Sequence, residues 1–374
     1  MIKIWIGRRE TDVITYKPVY FDYTITYYGS NEFPNYTYVT ENRKGIKYDD
    51  DFYKFVINCL DSRIQITENF ELYFYNGRIS EKLAIIRPDL KKSFRNCNSY
   101  DLLNWLNNKA YTRLWLSNLV QVPPFTLLSK PECVYNELNY KFKSYEQFII
   151  QYNYSSGGDG TFLMNATNES FIRNKLSLYK PYLVSPYIED AYSACCHVII
   201  GAKNCIIFPI GLQILSKDMK YKGTTYNLPF ELKKKIKMIN KFIENISDSL
   251  AQVGYRGICG YDFLVNEDDI FLIEINPRYM GSSYLMNKVL YENNLPSLFE
   301  LNDNAFQNKT DSWIKYKSKI SKLDICYTSY AMYYTGDASI SELPTYDSIY
   351  FDGFALASSY DPNVYLYSYI IRNK

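Results

Sequence analysis

The sequence predicts an α/β protein organised as α+β subdomains. Three observations carry this expectation. Short β-like runs alternate with helix-like stretches through the first hundred residues. Two apolar runs flank a glycine-rich link around Gly157-Gly158, and one long helical stretch leads into two more strands around Asn266. At 374 residues the chain is too long for one small core and suits two or three packed subdomains.

The elements follow in order. Lys3 to Ile6, Tyr16 to Tyr28 and Phe70 to Tyr75 read as strands, with a helix over Asp50 to Asp61 between them. Ser99 is placed to cap a helix containing Asp101 to Leu106. Tyr111 to Leu119 predicts another, ended at Val122-Pro123-Pro124 because the residue before a proline avoids helical dihedrals. Phe148 to Tyr152 and Phe162 to Met164 read as strands joined by the flexible link Ser155 to Thr161. Tyr182 to Glu189 and Ala194 to Gly201 predict two further strands. Leu228 to Val253 is a long helical stretch, with Pro229 near its start and Gly254 just past its end. Gly257 to Arg278 holds two strands around Asn266 to Asp269. The Tyr-rich tail from Asp324 to Ile371 is β-like, with turns at Thr335 to Asp337 and Asp352-Gly353.

Composition removes several classes of function. Lys and Arg number 42 against 40 Asp and Glu, a net charge of +2 with the signs interspersed. Lys233, Lys234, Lys235 and Lys237 read as the solvated face of a helix, so no nucleic-acid partner is expected. The start lacks the apolar stretch of a signal peptide, and no apolar run approaches the roughly 18 residues that span a bilayer. A soluble cytoplasmic protein with no membrane partner is expected. The eight cysteines are scattered without a CxxC pair, which leaves no zinc-ligand spacing. The single histidine, His197, falls in a predicted strand, as core or strand surface. One histidine disfavours serine-hydrolase and zinc chemistry.

The informative segment is Gly260-Tyr261-Asp262-Phe263-Leu264-Val265 followed by Ile270 to Arg278. Strand residues alternate faces, so Leu272, Glu274 and Asn276 are expected on one side. A three-residue turn Glu267-Asp268-Asp269 would set Asp262 directly opposite Glu274, with Cβ atoms roughly 5 Å apart. Two carboxylates that close, amid Phe, Leu, Ile and Val, are costly without a compensating cation. The donors are all oxygens, which suits Mg²⁺ completed by water and phosphate, with Mn²⁺ as a second candidate. The plainer reading is a hairpin with an edge Asp and a turn-forming Asn-Pro.

Glu274-Ile275-Asn276-Pro277-Arg278, preceded by Gly257 to Phe263, resembles the metal-binding signature of the ATP-grasp superfamily. Other pieces occur in the same order. Asn107-Asn108-Lys109, then Val122-Pro123-Pro124, resembles the entry to the small ATP-clamping subdomain, and Ser155 to Thr161 resembles its phosphate loop. Val184-Ser185-Pro186-Tyr187-Ile188 resembles the hinge that meets adenine, and Lys220 to Gly223 resembles the segment leading to the metal hairpin. The similarity covers roughly 105 to 290.

The resemblance implies an ATP-grasp fold with an N-terminal pre-ATP-grasp α/β domain over 1–107, a small clamping subdomain over 108–187 and a large subdomain over 188–374. It implies Asp262, Glu274 and Asn276 as Mg²⁺ ligands, with Arg278 and Asn276 serving catalysis. ATP is then expected to meet Lys109, Gln151, Ser156, Gly157, Gly158, Gly160, Thr161, Ser185, Tyr187, Ile188 and Tyr192. Two positions depart from the family pattern. Gln151 stands where a second lysine is usual and supplies no charge, and Tyr192 aligns where an acidic residue usually holds the ribose.

The activity this implies is ATP-dependent formation of an acyl phosphate from a carboxylic acid, then transfer to an amine. Small-molecule or modified-peptide biosynthesis is the expected setting. A carrier-protein thiol as acceptor, and a non-catalytic nucleotide-binding regulator, are the alternatives. A homodimer is among the expected assemblies. The substrate is expected near Arg278, Tyr279 and Gly281-Ser282-Ser283. There the two serines serve either as helix caps or, through the helix N-terminus, as an anion site.

Overall fold

The computed structural model describes residues 1–28, 37–39, 50–65, 69–128, 135–143, 145–155, 158, 160–176, 181–333, 349–350 and 365–373. Three sheets organise them. The first is wholly parallel: β1 (Ile2–Arg9), β2 (Tyr23–Tyr28), β3 (Thr37–Val39) and β4 (Phe70–Phe74), in the order β3-β2-β1-β4. A central parallel strand is covered on both faces, which is why Ile4, Trp5 and Ile6 are consecutive buried residues. The strand expected from Tyr16 begins only at Tyr23, since Pro18 has no N–H for a ladder.

The second sheet is antiparallel, in the order β5-β8-β6-β7. It joins β5 (Thr126–Leu128), β6 (Phe148–Tyr152), β7 (Thr161–Met164) and β8 (Tyr182–Pro186). It closes over a small core that includes Leu138, Phe142, Phe148, Met164 and Ile172.

The third sheet has nine strands. Its path runs from β14 (Ile270–Asn276) through β13 (Gly257–Val265), β9 (Tyr192–Ile200), β11 (Gly211–Leu215) and β12 (Tyr221–Thr225). It continues through β15 (Tyr327–Tyr333) and β17 (Tyr365–Arg372) to β16 (Ile349–Tyr350), with β10 (Cys205–Ile207) paired to β9. The expected tail turns at 335–337 and 352–353 lie outside the described residues.

Helix Phe230–Gln252 packs behind this sheet. Its apolar stripe, Leu232, Ile239, Ile243, Ile246 and Leu250, is fully buried against the strands. Each such side chain contributes roughly 1.5–3 kcal/mol. The lysines 233, 234 and 237 are exposed on its other face. Gly254 ends it at φ +90°, with Tyr255 N–H bonded to Leu250 O at 2.9 Å, a chain reversal that favours glycine.

The first sheet is not a separate body. Trp5 meets Tyr279 and Phe299 edge-on at 5.1 and 5.2 Å, in a core shared with helices Ser283–Glu292 and Leu298–Phe306.

Candidate functional site

The hairpin β13–β14 sets Asp262 opposite Glu274, by a route other than the expected one. The link is four residues, since Val265 pairs with Ile270, and the register shifts by one between Asp262 and Phe263. Ile273 is the extra residue of a β-bulge. The bulge also corrects the facing. Leu272 turns into the core behind the sheet with Tyr261, Phe263 and Ile275, whereas Ile273, Glu274 and Asn276 line a cleft with Asp262 and Leu264. Two residues oppose one across a bulge, so strict alternation breaks there.

Each carboxylate is met by protein groups. Lys109 Nζ forms an ion pair with Glu274 Oε2. Asp262 accepts from Asn276 Nδ2 at 2.9 Å and from Gln213 Nε2 at 3.0 Å. Burial, and then the charge of Glu274, raise the Asp262 carboxyl above the ordinary aspartate range. Arg278 Nη2 donates to Asn276 Oδ1 at 2.8 Å, and Nη1 to Tyr279 O at 3.1 Å.

Lys109 opens helix Lys109–Leu116, whose N-terminus is capped by Asn108 Oδ1 accepting from Tyr111 N–H at 3.2 Å. The lysine is only 7% exposed. The cleft has a volume of about 560 Å³. One wall is the second sheet, where Gln151 Nε2 donates to Thr161 Oγ1 at 3.3 Å and Ser185, Tyr187 and Ile188 stand along the edge. Gly158 lines it at φ +85°, and a Cβ there would lie 2.4 Å from Met219 O, so only glycine lets the link approach the β11–β12 turn.

Two expected nucleotide contacts stand elsewhere. Tyr192 packs against the apolar cluster behind the sheet, and its neighbour Ser193 faces the cleft instead. A shift of one residue along a strand reverses the face. Gly160 does not line the cleft; it serves the turn at φ +69°, its carbonyl accepting from Tyr152 N–H at 3.0 Å. Ser156 and Gly157 lie outside the described residues.

The sequence reading missed Gln213, Ser193 and Arg113. Ser193 Oγ donates to Gln213 Oε1 at 2.8 Å, completing a chain to Asp262. That chain crosses β9, β11 and β13, whose adjacency no local spacing announces. Asn76 was also missed. Its backbone bridges to Arg278, bringing the first sheet to the same cleft.

A family model described as an ATP-grasp domain matches residues 106–282, a span that holds Lys109, the glycine-rich link, the hairpin and Arg278. Residues 106–282 are similar to ATP-grasp domains. Among solved structures, the ATP-grasp fold here is similar to N5-carboxyaminoimidazole synthetase from Staphylococcus aureus complexed with ADP. That likeness has a TM-score of 0.60 at 14% identity, covering 100% of this chain and 93% of that one. It is also similar to a biotin carboxylase–β-γ-ATP complex from Campylobacter jejuni, with a TM-score of 0.64 at 13% identity, covering 99% and 87%. At these identities the likeness speaks to the fold. Among curated proteins, tyramine–L-glutamate ligase from Methanocaldococcus jannaschii is 31% identical over 145 residues, which is 38% of this chain. The chain spans about two fifths of that relative's length, 41%.

In the cleft the groups facing each other are two carboxylates and a carboxamide. Among the described residues no cluster of three or more His, Cys, Asp or Glu converges to hold a metal ion. The oxygen set fits a hard divalent cation such as Mg²⁺, and the two facing carboxylates present the charge such an ion would neutralise. Among the described residues no helix is long and apolar enough to cross a membrane.

Proposed function

We propose that this chain is an ATP-dependent ligase that activates a small-molecule carboxylic acid as an acyl phosphate and transfers the acyl group to an amine. The observation that carries the reading is Asp262 facing Glu274 in one cleft with Lys109, Asn276 and Arg278. A carboxylate oxygen would attack the γ-phosphorus, breaking its bond to the bridging oxygen and releasing ADP. The amine nitrogen would then attack the acyl carbon, releasing inorganic phosphate and losing a proton.

This chemistry asks for positioning and charge stabilisation more than for an acid–base pair. It suits a chain whose one histidine is buried, with its Nε2 3.1 Å from Ser283 Oγ. Mg²⁺ held by Asp262, Glu274 and Asn276 would supply neutralisation of the phosphate charge. Arg278, fixed by its bonds to Asn276 and Tyr279, would hold the anionic acyl group. Lys109 would hold the nucleotide end. The cleft beyond Arg278, walled by Tyr75, Asn76, Met280 and Tyr221, is the substrate end.

A relative named as a ligase of tyramine and glutamate favours an amine acceptor over a carrier-protein thiol. The test is nucleotide turnover with amino acids and dicarboxylic acids crossed against amines, aromatic ones included, with products read by mass. ADP and an amide are expected. AMP as the product would sink the acyl-phosphate route, and neither ADP nor AMP despite ATP binding would sink the ligase reading and leave a nucleotide-binding regulator.

A further inference from the structure

Arg113 lines the cleft yet is 1% exposed. It lies one helical turn after Lys109, on the same face of helix Lys109–Leu116. Its Nη1 donates to Ser185 Oγ at 3.2 Å and its Nη2 to Ile273 O at 2.9 Å, both neutral acceptors. Its Nε has no hydrogen-bond partner. Among the described residues no carboxylate makes an ion pair with it, and the anion it senses, Glu274, is already held by Lys109. Burial holds the guanidinium down to about 10, still charged at neutral pH.

A buried charge left without an anion is strongly destabilising, and chains rarely keep one that nothing balances. The location says where the anion comes from. Ser185 leads directly into Tyr187 and Ile188 at the cleft edge, and Ile273 sits beside Glu274 at the carboxylate pair. A nucleotide stretched between those two places carries its phosphates past Arg113. Gln151, on the strand whose Ile149 pairs with Ser185, offers only a neutral amide. We propose that Arg113 is a phosphate-binding residue of the nucleotide site, supplying from the helix a positive charge that the facing strand lacks. The inference rests on the nucleotide-binding reading above.

The experiment is calorimetric binding of ATP, ADP and adenosine to the 374-residue chain. Arg113→Gln is expected to weaken ATP and ADP by about tenfold to a hundredfold, the value of charge-assisted hydrogen bonds, and adenosine by less than about threefold. Adding Gln151→Lys to that variant is expected to restore most of the ATP affinity. Equal weakening of ATP and adenosine, or unchanged ATP affinity, overturns the proposal. So does a rise in the KM of the acid alone, which would assign Arg113 to the substrate. If Arg113→Gln melts before binding can be read, Arg113→Lys decides. Retaining the charge should keep ATP within about fivefold of wild type, and a loss shared equally with adenosine marks a structural clamp. A wild-type chain that binds no nucleotide would refute the site itself, a result separable from all of these.

Discussion

Asp262 carries opposite loads in the folded chain and in the ligase reaction proposed for it. Its carboxyl is raised by burial and then by Glu274, so the folded pKa exceeds the unfolded one. Its contribution to stability is therefore complete below the unfolded value near 3.9 and is lost as pH rises through the folded one. Asp262→Asn is expected to raise the melting temperature of the cation-free protein at neutral pH while abolishing ADP formation and the stabilisation by Mg²⁺. A variant that melts lower and still turns over would refute both roles. His197 has the opposite sign of dependence. Burial lowers it to about 4 from 6.5. Its stability is present above 6.5 and lost as pH falls towards 4, by roughly 3 kcal/mol. It is the only histidine in the chain. Urea titrations at pH 7 and 4.5 should thus show a smaller acid loss for His197→Asn than for wild type, and equal losses would contradict its burial as a neutral ring. The carboxylate pair was legible in the sequence because both members lie in one hairpin. Gln213 and Arg113 were not, because their partners are 49 and 160 residues away in the chain.

The bulge in β14 shows what element-level reading can and cannot give. A three-residue turn, as expected from the sequence, would also pair Asp262 with Glu274. The chain uses a four-residue link and inserts Ile273 instead. Nothing in the apolar run Ile270 to Ile275 marks where an extra residue bulges out, since every member is acceptable on a buried face except Glu274. What the bulge gains is an inward residue whose carbonyl takes the Arg113 hydrogen bond. Deleting Ile273 should leave a regular ladder with Asp262 still opposite Glu274. Stabilisation by Mg²⁺ is then expected to survive, while ATP affinity falls several-fold, or about 1 kcal/mol for a lost bond to a neutral carbonyl. Thermal melts with and without Mg²⁺, beside nucleotide titrations, separate the two, and loss of the Mg²⁺ effect would mean that the bulge sets the pair. Helix Phe230–Gln252 was the easiest element to foresee, because its stripe, proline and Gly254 agree.

At the scale of the molecule, three sheets meet at one cleft, and some strands of each could be read from their own pattern. Their meeting could not, because the junctions join residues far apart in the chain. Tyr279 N–H reaches Tyr75 O at 3.4 Å, and Arg9 Nη2 donates to Gly281 O at 3.1 Å. Asn76 sits at this seam and caps helix Gly77–Ile86 through a 3.1 Å bond from Ile79 N–H. Asn76→Ala is expected to cost about 1 kcal/mol of stability and to raise the KM of the acid with nucleotide binding unchanged. An unaltered KM would show that the first sheet is only scaffold. The seam has a practical side for anyone hoping to retune chains of this fold by recombination. A front domain transplanted from a cousin arrives with its own version of the 75–76 edge, and the loop bearing Arg278 will settle against whatever edge it is given. Selectivity and catalytic alignment are thereby inherited as one unit, so productive chimeras should exchange both sides of the joint together.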